Sequence, residues 1–150
     1  MKRILTVTVT LACLAALFGG AAVPGEENKP APKGEPKMFK AVIHVNFSDS
    51  ARQKHGLKNV ANMLKEVGDK FEIEVVCHGS GIGLLVKDQS QHAAEVERLS
   101  KTGVRFAACE NTMRDKAITK ESLLPGVVTV PSGAVEVVRK QQDGYGYFKP

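Results

Sequence analysis

From Met38 onward, short apolar runs alternate with stretches whose apolar positions recur every three or four residues, the pattern of strands interleaved with helices. Residues 39–46 (FKAVIHVN) are almost continuously apolar, as a strand buried on both faces should be. Ser48, Asp49 and Ser50 offer N-cap side chains. Leu57, Val60, Ala61, Leu64 and Val67 then keep helical spacing until Gly68, which predicts where that helix stops. Residues 71–77 (FEIEVVC) predict a second strand, alternating in its first half, so that one face is expected to be partly open. Further along, the pattern predicts a helix over 89–101 closed by Gly103 and a strand over 104–109. A short helix over 116–124 ended by Pro125-Gly126, a strand over 127–130, a helix over 132–142 and a last strand over 145–148 follow. Such alternation predicts an α/β fold: a three-layer α/β/α sandwich around a five-stranded, mainly parallel sheet.

Before this domain the chain has a different character. Met1-Lys2-Arg3 is a short basic start, residues 4–18 are uncharged and largely apolar, and Gly20-Ala21-Ala22 fits a small-x-small cleavage site. Residues 1–22 are therefore expected to be a bacterial secretory signal, too short to span a membrane as a mature helix, with the mature chain starting near Val23. Lipidation at Cys13 and an uncleaved anchor are the weaker readings of the same segment. Residues 23–37 (VPGEENKPAPKGEPK) carry four prolines and two apolar residues, too little apolar surface to offset the entropy of ordering, and predict a flexible linker. The domain is then 38–150, which holds 47 of the 64 apolar residues and needs neither metal nor disulfide to form a core. A periplasmic or secreted location follows as the expectation, with no membrane span after processing.

Charge narrows the partners. Loss of Lys2 and Arg3 leaves 19 basic residues against 16 acids, a dispersed excess without runs or interleaved aromatics, so no nucleic-acid partner is expected. No Ser-His-acid or paired-carboxylate arrangement stands out, and no hydrolytic activity is assigned.

In parallel α/β sheets, chemistry collects just past the carboxyl ends of the strands. That rule selects Asn46, Ser48 and Asp49 after the first strand, Cys77, His78 and the Gly79-Ser80-Gly81-Ile82-Gly83 loop after the second, Cys109 with Asn111, Thr112 and Arg114 after the third, and Pro131, Ser132 and Gly133 after the fourth. Cys109 ends a strand and is followed by residues able to start a helical turn, whose N–H groups favour a thiolate, the nucleophilic form. Arg114 would add to that effect and Glu110 oppose it, while the alternative is a small buried hydrophobe. Without Cys13, two cysteines remain, both at strand ends. If their strands are neighbours the pair lies within disulfide range, and if another strand intervenes they are independent thiols. The glycine loop with His78 suits an anion held by backbone N–H groups, and equally a turn that needs permissive backbone. It lacks the lysine of a phosphate-binding loop. Neither a metal site nor a cofactor is expected. His44 reads as a packed core histidine, and His55 and His92 as exposed helix residues.

KAVIHVNFSD, HGSGIGLLV, FAACENTM and VPSGAVEVVRKQQDGYGYFKP together resemble the DsrE/DsrF-like family, over essentially all of 38–150. The resemblance implies strand order 4-3-2-1-5, which makes strands two and three neighbours, and homo-oligomers such as trimers or hexamers. It also implies that Cys109 holds a persulfide and passes sulfur between a donor and an acceptor protein; Cys77, where relatives are expected to carry a small residue, is the candidate resolving thiol of this chain. His78, Gly79, Ser80, Gly81, Asn111 and Thr112 are the candidate ligand-binding residues around it. The alternative is a non-catalytic small-ligand-binding or oligomeric assembly module.

Overall fold

The computed structural model describes residues 37–150, so the expected signal segment and all but the last residue of the expected linker lie outside the described residues. Five strands alternate with four helices: β1 (Phe39–Val45), α1 (Ser50–Val67), β2 (Phe71–Cys77), α2 (Ala93–Lys101), β3 (Arg105–Cys109), α3 (Glu110–Asp115), β4 (Val128–Val130), α4 (Gly133–Gln142) and β5 (Gly146–Phe148). All four strand pairings are parallel, and the order across the sheet is β4-β3-β2-β1-β5. The α/β architecture and the strand order agree with the expectations from sequence.

Local chemistry fixes the helix ends. Asp49 caps α1 by accepting the Arg52 N–H at 2.6 Å, and Gly68, at φ 65°, closes it by donating its N–H to Leu64 O. Ser132 caps α4 by accepting from Val135 N–H. The helix expected over 116–124 is not there. Instead α3 starts directly from β3, Ala117 turns at φ 54°, and only a 3₁₀ turn (Lys120–Ser122) follows. Extended pairing is the cause: Leu123 bridges Val86, Lys87 N–H reaches Ser122 O at 2.9 Å, and Leu124 N–H reaches Leu85 O at 2.9 Å. Those bonds take up backbone groups that a helix would need. Helix α2 likewise begins later than expected, at Ala93, and His92 is half-buried, with Nε2 2.9 Å from Ser50 O, rather than exposed.

Strand alternation separates two cores. Ala41, Ile43, Val45, Ile73, Val75, Cys77, Phe106 and Ala108 face α1 and α2 and join the larger one. Val42, Val76, Ala107 and Val130 face the other way and pack under Val137 of α4. On this second face Glu74 is buried, with Lys140 Nζ at 2.9 Å and Arg105 Nε at 3.2 Å from its Oε2. These are ion contacts rather than aligned hydrogen bonds, and they tie α4 to the amino-terminal half of the sheet. The carboxyl-terminal half of the same face carries the site.

Candidate functional site

Cys109 is the last residue of β3 and immediately precedes α3. Its Cα pairs with Val130, one residue pair before the Pro131-Ser132 turn that leads into α4, so the amino termini of α3 and α4 both open beside its side chain. The N–H groups of Gly133, Thr112 and Asn111 and the Thr112 hydroxyl face the sulfur. Burial works against the thiolate, but these donors outweigh it and hold the Cys109 thiol below its ordinary value. Glu110, the neighbour expected to oppose ionisation, is occupied elsewhere: it accepts from Thr129 Oγ1 at 2.6 Å and lies 3.8 Å from Lys120 Nζ. Arg114 is bonded to Asn111 Oδ1 instead of supplying charge to the sulfur.

Thr112 joins the cysteine to the glycine-rich segment. Gly79 N–H donates to Thr112 Oγ1 at 3.0 Å, which leaves the hydroxyl proton free to point at Cys109. Thr112→Ser is expected to keep the pH midpoint of Cys109 alkylation, whereas Thr112→Val shifts it upward by roughly one unit, the scale of one lost hydrogen bond to a charged acceptor. An iodoacetamide rate profile against pH reads both variants.

The glycine-rich segment is a 3₁₀ turn (Gly79–Leu85), not an open loop, and Ile82, Leu84 and Leu85 are buried. Gly79 N–H is taken by Thr112 and Gly81 N–H by His78 O, while Ser80 Oγ donates to Asn46 O at 2.9 Å. These three groups are spent on the fold. Gly81 is a close-approach glycine, since a β-carbon there would come within 2.3 Å of Val45 O.

Cys77 is fully buried, and burial pushes its thiol up. It pairs in register with Ala108, not Cys109. Neighbouring strands in parallel register point laterally paired side chains to the same face, so Cys77 and Cys109 lie on opposite faces of the sheet despite their adjacent strands. Both are free, and the geometry gives no support to Cys77 as a resolving thiol.

Gly133, selected by the strand-end rule, and two residues outside the sequence-based set, His44 and Tyr147, complete the site. A β-carbon on Gly133 would meet His78 Cβ at 2.9 Å and Cys109 Cβ at 3.2 Å, so this glycine lets His78 and Cys109 close in on the start of α4. His44 is not a packed core histidine: its Nε2 is 2.6 Å from His78 Nε2, and its Nδ1 is 2.8 Å from the hydroxyl of exposed Tyr147. Burial, then the charges of His78 and Lys149, brings His44 down to about 4. His78 is lowered by burial and by Lys149. The signal for His44 was its parity, because it shares a face with Val42 and stands near the carboxyl end of β1.

The DsrE/DsrF-like family model matches residues 39–150. The chain belongs to the DsrE/DsrF-like family. Among solved structures, this DsrE-like chain is similar to a protein of unknown function, MTH1491 from Methanobacterium thermoautotrophicum, at 35% identity and a TM-score of 0.71, over 75% of this chain and 99% of the other. It is also similar to the ychN protein from E. coli at 15% identity and a TM-score of 0.65, over 75% and 100%, a likeness that bears on the fold alone. No curated protein matches it. Among the described residues of the DsrE-like domain, no cluster of three or more metal-ligating side chains occurs, and no helix is long and apolar enough to cross a membrane.

Proposed function

We propose that this protein is an exported sulfur carrier in which Cys109 holds sulfane sulfur as a persulfide. The observation that carries this reading is the convergence of N–H donors from the starts of α3 and α4 on one sulfur. A thiolate held this way attacks the outer sulfur of a donor R–S–SH. A new S–S bond forms at Cys109, the donor's S–S bond breaks, and R–S⁻ leaves. The same donors then stabilise Cys109 as the leaving thiolate when an acceptor thiol takes the sulfur. Membership of a family associated with sulfur relay supports the reading, and the signal-like residues 1–22 support export.

A non-catalytic assembly module is the second reading, and the exposed Val135 and Val138 of α4 favour a surface that meets another copy or a partner protein. Intact-mass measurement after incubation with a small persulfide separates the two readings. The carrier gains one sulfur atom and Cys109→Ser gains none, whereas a wild-type mass that never changes leaves only the assembly reading.

A further inference from the structure

We infer that the Tyr147–His44–His78 chain is a proton exit for the site, with His78 as the base that accepts the proton of an incoming, un-ionised acceptor thiol. The inference rests on the carrier reading and concerns the step that empties Cys109.

Two ring nitrogens 2.6 Å apart must hold a proton between them, since two bare lone pairs at that distance repel. The two rings lie nearly parallel, 20° apart, so His78 is held in place by His44. On its far side His44 Nδ1 meets the Tyr147 hydroxyl at 2.8 Å, and Tyr147 is 45% exposed. The three side chains therefore form a continuous hydrogen-bonded path from solvent to His78. His78 in turn borders Gly133, beside Cys109, where its Cδ2 would lie 3.3 Å from a β-carbon at that position. Its Nε2 is taken by His44, which leaves Nδ1 as the ring nitrogen open to a thiol. Each link can carry a proton in either direction, because imidazole presents a donor and an acceptor on opposite nitrogens and phenol presents both on one oxygen.

Charge keeps this base unprotonated. Lys149 bears on both rings, Tyr147 and Cys109 are the other titratable groups beside them, and burial adds to the effect of Lys149, so both rings are neutral around pH 7. In the emptying step, R–SH gives its proton to His78 Nδ1, the ring nitrogen that His44 does not engage, while the proton on Nε2 passes to His44 Nε2. His44 Nδ1 in turn passes a proton to Tyr147 and solvent. R–S⁻ attacks the outer sulfur of Cys109–S–SH, a bond forms to give R–S–SH, and Cys109 leaves as the thiolate held by the N–H groups of α3 and α4. The net change is R–SH and Cys109–S–SH going to R–S–SH, Cys109–S⁻ and one proton released. No oxidant or reductant is required. The partner class is thereby an acceptor with an ordinary alkyl thiol, which at about pH 6.5 is only about 1% thiolate.

The test uses persulfide-loaded full-length protein and two small acceptors, an alkyl thiol and an aromatic thiol that is already ionised at neutral pH. At about pH 6.5, His78→Gln should slow emptying to the alkyl thiol by about tenfold or more, and the loss should shrink toward pH 9, where the thiol ionises unaided. Emptying to the aromatic thiol should be unchanged, and Tyr147→Phe should show a smaller loss of the same pattern. Equal losses for both acceptors at every pH, or a wild-type rate that merely follows the thiolate fraction of the acceptor, would overturn the inference while leaving the carrier intact. Failure of the wild type to load at all overturns both.

Discussion

Gly81→Ala is expected to destabilise the protein by at least about 3 kcal/mol, the upper end of what overpacking costs, because nothing near the new methyl group is free to move. Its β-carbon would lie 2.3 Å from Val45 O, 2.7 Å from Val45 C and 2.9 Å from Asn46 N, all backbone atoms at the end of β1. Val45 O also accepts the N–H of His78, so displacing it disturbs the end of β1 and the turn that carries the site histidine. Gly83→Ala is the control, for its nearest neighbour is the side-chain oxygen of Gln89 at 3.1 Å, which can rotate away, and the change should stay within about 1 kcal/mol. Urea midpoints of the two variants against wild type measure the contrast. Equal midpoints would mean that Gly81 tolerates a side chain and that its place is not set by backbone contact.

The second large effect separates the two cysteines. In native protein Cys109 should be alkylated while Cys77 reacts on the order of a thousandfold more slowly, because reaction at Cys77 waits for opening of the core. Both side chains are buried, Cys77 at 0% exposed on the face toward α1 and α2 and Cys109 at 4% at the carboxyl end of the other face, but burial raises the Cys77 thiol whereas Cys109 faces donors that lower its own. Peptide mapping after a timed pulse of alkylating reagent reads both sites together. Comparable rates, or a Cys77–Cys109 disulfide in the non-reduced map, would contradict the opposite-face arrangement and restore a redox pair.

That arrangement also marks how far the sequence could be read. The alternation of apolar runs and helical spacing, the Asp49 and Ser132 caps and the stops at Gly68 and Gly103 suffice for the elements from β1 to β3 and for α4, because each is a local property. Strand adjacency was legible through the family resemblance, but adjacency alone does not bring two cysteines together. Which face each occupies depends on register, and Cys77 aligns with Ala108 through sheet pairing that no local signal encodes. The missing helix over 116–124 has the same origin, since Leu123 and Leu124 look helical in isolation and become extended by pairing with residues 85–87.

At the site, Cys109 and the helical turn after it were legible from residue type and position. The Gly79–Gly83 stretch was legible as permissive backbone, though not as the packing device it is. Gly133 was legible as a residue just past β4, but His44 and Tyr147 were not, because they come from β1 and β5 and meet only when β5 pairs beside β1. Their assembly around Cys109 requires tertiary structure, and the sequence offers only the parity of His44 as a hint.

The account rests on Cys109 accepting and releasing sulfur, and the most direct measurement follows isotopically labelled sulfane sulfur from a persulfide donor to the protein and on to a thiol acceptor in a single turnover. The predicted result is label on the Cys109-containing peptide first and on the acceptor afterwards, with no label on the Cys77 peptide and none at all in Cys109→Ser. Label that reaches the acceptor equally fast with Cys109→Ser, or that never appears on the Cys109 peptide of the wild type, would contradict it.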